Sequence, residues 1–232
     1  MKLHLILLSL FSLFQPKLHA QVAVKNDPRA LEIAERCIEA MGGKTAWENT
    51  KTVQWDFFGK RRLTWDKFAQ EVKIERLGAA PNAYTIWVNT TTQQGKAIVN
   101  NVAVEHPDSL KVWMKKGYEI WINDSYWLVM PFKLRDKGVS LQYLGKMKNA
   151  AGVDSDVLEL TFDQVGVTPD NKYWVYFDPF SYLVNQWSYF EKYTDTEPKL
   201  TTPWESYQKY GNILLSSGRG KSKLENIVVK NG

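Results

Sequence analysis

Between Thr52 and Val99 polar and apolar side chains alternate. Val53, Trp55 and Phe57 are large and apolar, and Thr52, Gln54 and Asp56 between them are polar. The same period of two returns at Val72 and Ile74 against Glu71, Lys73 and Glu75. It appears again at Tyr84, Ile86 and Val88 against Thr85, Trp87 and Asn89. A two-residue period sends alternate side chains to opposite faces of an extended chain. Gly59-Lys60 turns the chain into Arg62-Leu63-Thr64-Trp65, and Gly95 leads into Ala97-Ile98-Val99. Short strands joined in this way with one apolar face predict an antiparallel meander.

Two stretches break that period. Asp27-Pro28 supplies a capping carboxylate and a first-turn proline, Leu31, Ala34, Ile38 and Met41 recur at helical spacing, and Gly42-Gly43 stops the run. A short turn from Lys44 to Asn49 carries Trp47. Pro107 to about Asn123 is helical again, with Leu110, Trp113, Met114, Gly117, Ile120 and Trp121. The apolar segment Tyr126–Leu134 follows, broken at Pro131 and closed by Arg135-Asp136-Lys137-Gly138. Further strands are expected at 139–144, 157–162, 172–178, 183–189, 204–210, 213–217 and 226–229, with a looser segment at 194–203. Tryptophan is abundant, with ten residues, and several strands carry large side chains on both faces. Such a sheet must be covered by helices on one side and by closure, a ligand or a partner on the other.

The first residues read as an export signal. One lysine, Lys2, precedes ten mostly apolar residues from Leu5 to Phe14; Gln15-Pro16-Lys17 breaks the run, and Ala20 offers a small cleavage residue. The apolar run is too short for a spanning helix, which needs ~20 residues. The expectation is a signal peptide over 1–20 and one domain over 21–232, exported to the periplasm or secreted, with no stable membrane span. Losing Lys2 and Lys17 takes the 30 basic residues to 28 against 25 acidic ones, a net charge of +3. The basic residues are dispersed, so nucleic acid is not an expected partner.

The residues for most catalytic schemes are scarce. After residue 20 the only histidine is His106 and the only cysteine is Cys37. A histidine-rich or Cys/His metal site and a Gly-x-Ser-x-Gly nucleophile turn are therefore ruled out, and Cys37 reads as a small core residue. Gly218-Arg219-Gly220-Lys221-Ser222 lacks the upstream glycine of a phosphate loop. Paired carboxylates remain open, since glycoside hydrolysis needs only two acids ~5–10 Å apart. The candidates are Asp56, Asp66, Glu75, Asp124, Asp136, Asp163 and Asp178. No catalytic residue, metal site or cofactor is expected. Asn123–Val139 is the most distinctive stretch; it reads either as architecture or as the lip of a cavity, with Tyr126, Trp127 and Phe132 touching an apolar ligand.

Several stretches resemble an uncharacterised family of exported proteins from Bacteroidetes-type bacteria. They are Trp65-Asp66-Lys67, Asn123-Asp124-x-Tyr126-Trp127-Leu128, Pro131-Phe132-Lys133-Leu134-x-Asp136-x-Gly138-Val139 and Leu160-Thr161-Phe162-x-x-Val165-Gly166-x-Thr168-Pro169-x-Asn171-Lys172-Tyr173. The order of elements resembles, more distantly, the LolA/LolB-like superfamily of periplasmic lipoprotein and lipid carriers. That resemblance implies a mainly β (α+β) fold: a curved antiparallel sheet, or half-barrel, closed by helices over an apolar cavity. It also implies a non-enzymatic carrier for a lipid, a lipoprotein acyl chain or another hydrophobic molecule. Trp55, Phe57, Trp87, Tyr126, Trp127 and Phe132 are the expected cavity residues. Carriers of that superfamily keep an arginine that locks a lid, for which Arg61, Arg62 and Arg76 are the candidates. Two further readings stay open: an envelope module that binds other envelope proteins, and a carboxylate-pair hydrolase.

Overall fold

A computed structural model describes residues 27–78, 83–163 and 165–232; the export signal expected over residues 1–20 lies outside them. The first helix, α1 (Pro28–Ala40), starts where expected: Asp27 accepts a hydrogen bond from the Arg29 N–H, and Pro28 occupies the first turn. It buries Ala30, Ile33, Ala34 and Cys37. The segment after it, expected as a turn, is a short helix, α2 (Gly43–Glu48).

The meander forms as the alternation dictates. β1 (Thr50–Phe57), β2 (Arg61–Asp66), β3 (Glu71–Arg76), β4 (Tyr84–Asn89), β5 (Gly95–Val99) and the two-residue β6 (Val102–Ala103) pair antiparallel in sequence order. The last strand of the chain, β15 (Glu225–Asn231), joins on the other side of β1, giving a seven-stranded sheet. A second sheet holds β7 (Val139–Lys148), β8 (Asp154–Phe162), β9 (Lys172–Phe177), β10 (Val184–Phe190) and β11 (Leu200–Pro203). A third, of three strands, holds β12 (Glu205–Tyr210), β13 (Ile213–Arg219) and β14 (Ser222–Lys223). The fold is thus mainly β, with three antiparallel sheets and no closed barrel among the described residues.

The helical insertion α3 (Pro107–Val129) packs across β3, β4 and β5. Its second half also meets the five-stranded sheet. Trp127 touches Phe57 of the large sheet at a ring separation of 6.3 Å and Trp187 of the five-stranded sheet at 4.9 Å. The helix runs beyond the expected end near Asn123. Asn, Asp and Ser usually compete with the helical backbone for hydrogen bonds. Here Arg61 takes up the Asp124 carboxylate, and the Ser125 hydroxyl donates back to the Ile122 carbonyl at 3.2 Å, so the turn continues. A 3-10 turn at Met130–Lys133, with Pro131 inside it, then ends the run.

No helix among the described residues is long and apolar enough to cross a membrane.

Candidate functional site

An apolar cavity of about 330 Å³ lies between α3, the five-stranded sheet and the loop from Val165 to Asn171. Each wall follows from a simple periodicity. Ile122, Asn123, Tyr126 and Trp127 are one helical turn apart and so share a face of α3. On the sheet, Tyr173 pairs with Tyr189 across β9 and β10, and Tyr189 pairs with Leu200 across β10 and β11. Trp187, two residues from Tyr189, shares that face. Phe162 completes the sheet wall, and its ring lies 6.0 Å from Tyr173 and 5.9 Å from Tyr126.

The aromatic wall is braced from behind. Tyr173 stacks on Trp187 at 5.0 Å and 17°, and Trp187 meets Trp204 edge-on at 5.3 Å. Offset or edge-on aromatic pairs of this kind contribute about 0.5–1.5 kcal/mol beyond their buried area. The Arg219 guanidinium lies 3.5 Å from the Trp204 ring centroid and donates to carbonyls of Ser216, Gly218 and Trp127. Trp127 is in the last turn of α3, where backbone carbonyls lack helical partners, so Arg219 ties β13 to that helix end. Burial without a carboxylate partner lowers its pKa to about 9. This is the role of the stretch that superficially suggested a phosphate loop.

The loop wall is held by Asn171. Its side-chain amide donates to the Thr168 hydroxyl at 2.7 Å, and its carbonyl oxygen accepts the Tyr189 hydroxyl at 3.5 Å. Gly138 lets the loop approach: with φ of +83°, it lies so close that a Cβ there would sit 2.4 Å from Val165. Among the described residues the cavity wall carries no Asp, Glu, Lys, Arg or His. Its ionisable groups are phenols, and burial pushes the Tyr126 hydroxyl well above the usual tyrosine range and that of Tyr173 up to about 12.

The six residues expected to line a cavity are divided by the fold. Tyr126 and Trp127 line this one. Trp55 and Phe57 do not: Trp55 is fully buried on the helix-covered face of the large sheet, and Phe57 packs beneath Trp127 and Phe58. That face, where the cavity was expected, is filled by α3 and the chain's own side chains. Trp87 points to the other face of β4, where cross-strand register sets Lys73 and Lys96 beside it and their ammonium groups approach its ring. Phe132 stacks on Trp47 at 4.7 Å and borders a separate, larger cleft of about 500 Å³ whose rim is charged, with Glu35, Glu39, Glu48, Lys44, Arg135 and Asp136. The aromatics of β8, β9 and β10 that make the sheet wall were not among the expected six.

The arginine candidates also separate. Arg61 of β2 grips Asp124 of α3 with two hydrogen bonds of 2.5 and 2.6 Å, and its guanidinium lies 4.8 Å from the Phe57 ring. Asp124 is fully buried, and burial pushes its carboxyl above the usual range despite the guanidinium. Arg62 pairs with Asp56, which also accepts from Asn226 of β15. Among the other carboxylates considered for hydrolysis, Asp66 and Asp178 accept backbone N–H bonds in turns, Glu75 pairs with Lys73, and Asp136 pairs with Lys133. Cys37 is buried beside Met41, and His106 caps the start of α3 by position only. Among the described residues no three His, Cys, Asp or Glu side chains gather as metal ligands would.

No protein-family model matches the sequence, and no curated protein matches it. Among solved structures, the chain is similar to a DUF1329 family protein from Desulfovibrio piger at 13% identity, over 88% of this chain and 93% of that one, with a TM-score of 0.45. A likeness at that level carries no argument about function.

Proposed function

We propose that this chain is a non-catalytic binding protein for a hydrophobic small molecule, a lipid or an acyl chain, and that the cavity between α3 and the five-stranded sheet is where the ligand sits. The observation that carries the reading is an aromatic-walled cavity of about 330 Å³ without an ionised side chain on its wall. That volume is within the ~300–1,000 Å³ range of ligand sites. Each ~100 Å² of apolar ligand surface moved into it contributes about 2.5 kcal/mol. Ten of the fourteen lining residues fall within the stretches that carry the sequence resemblance, and three separate parts of the chain converge there. The export signal expected over residues 1–20 supports a role in the cell envelope, where a carrier of water-insoluble molecules has a use.

The test is native mass spectrometry with lipid extraction on protein isolated from the periplasm of its host. A stoichiometric apolar adduct is expected. Val167, on the wall and 39% exposed, can be replaced without disturbing the core. Val167→Trp is therefore expected to fold normally and lose the adduct. A clean apo mass, with no uptake of a fluorescent fatty acid ester, would sink the proposal.

A further inference from the structure

Resting on the binding reading above, we infer that the cavity selects an uncharged ligand whose apolar body carries a carbonyl oxygen, as in an ester or an amide, over the corresponding free acid. The polar groups on the wall are three phenols, two carboxamides and one hydroxyl, from Tyr126, Tyr173, Tyr189, Asn123, Asn171 and Thr168, with the indole N–H groups of Trp127 and Trp187. No cation is placed there to receive a carboxylate, and a charge taken from water into an apolar site without a partner is strongly disfavoured. Nearby charges are spent elsewhere. Lys172 turns to the Asp195 carbonyl and Glu159, Asp124 is held by Arg61, and Arg219 faces Trp204 and backbone carbonyls.

One donor is free. The Tyr126 hydroxyl has no hydrogen-bond partner among the described residues, and it is not one of the polar atoms sealed from solvent. By contrast, Asn171 is already bonded to Thr168 and Tyr189, and Asn123 donates to Asp124. High phenol pKa values keep Tyr126 and Tyr173 protonated, and so they donate. A phenol O–H in an apolar wall is suited to an accepting oxygen. An aliphatic chain without one would leave it unpaired.

The experiment is a binding series on the full chain with three probes of one length: methyl decanoate, decanoate and decane. Methyl decanoate is expected to bind at least about tenfold more tightly than decanoate and about fivefold more tightly than decane. Tyr126→Phe, which keeps the ring in place, is expected to abolish the preference of ester over decane, weakening the ester and not weakening decane. Equal affinity for decanoate and its ester would overturn the inference, as would an ester preference that survives Tyr126→Phe. If none of the three probes binds, the hydrophobic-binding reading itself falls.

Discussion

Replacing Asp124 by asparagine should destabilise the protein far more than a surface ion pair would. The carboxylate is sealed, Arg61 retains 20% side-chain exposure, and two short charge-assisted bonds join them. Breaking a buried pair by removing one partner costs ~3–5 kcal/mol. Asp124→Asn leaves the cation, which can still reach water and the Phe57 ring, so its cost is at the low end, about 3 kcal/mol. Arg61→Met strands the anion, which cannot reach water, so its cost is nearer ~5 kcal/mol. For a chain of this size each kcal/mol moves Tm by about 2–4 °C, so the first change lowers it by about 6–12 °C. Arg61→Met with Asp124→Leu removes both charges and should recover to within about 1 kcal/mol of the parent. Urea denaturation of the parent, Arg61→Met, Asp124→Leu and the double change closes the cycle and measures the coupling directly. If Asp124→Asn costs less than about 1 kcal/mol, or if the two single changes simply add, the pair is not what joins β2 to α3.

Three further outcomes follow from other contacts. Gly117→Ala gains up to about 1 kcal/mol of helix propensity, but its Cβ would lie 2.7 Å from Ile86 and 3.2 Å from Val88, both buried and β-branched. The clash costs ~1–3 kcal/mol, and calorimetry should show a net loss; a higher Tm would refute the close approach of α3 to β4. Burial holds the Cys37 thiol up to about 12 and out of reach, so a thiol reagent should label it only at the rate of unfolding; fast labelling of native protein would contradict the packing of α1. Burial pushes the Asp56 carboxyl up, but Arg62 and Asn226 outweigh it, and its pKa lies below the usual value. The stabilisation is therefore present above about pH 4 and fades as pH falls through the depressed native value. Asp56→Asn should flatten that acid limb in denaturation curves, and an unchanged limb would show that other groups set it.

The strands from β1 to β5 were legible because one face of the large sheet is polar, so alternation survives in the sequence. The strands of the five-stranded sheet carry large residues on both faces, as with Tyr173 and Trp174, and parity there does not say which side meets a cavity. Trp55 and Trp127 look alike as sequence, and only the path of α3 between two sheets separates core from wall. Trp87 could have been placed, since it shares parity with Thr85 and Asn89 on the polar face. Its lysine neighbours needed the register of three strands. The true end of α3 was hidden because the residue that neutralises Asp124 is 63 positions away, on β2.

The pairing of β15 with β1 orders events in time. Asp56 and Asn226, bonded across that seam, are 170 residues apart. Until β15 emerges, β1 has an open edge of unpaired N–H and C=O groups, a template for any passing strand. Closing so long a loop must precede the contacts that reward it, which makes this seam a late step and the chain a slow folder. The interval before closure is when the protein is most prone to aggregate, and most in need of a chaperone.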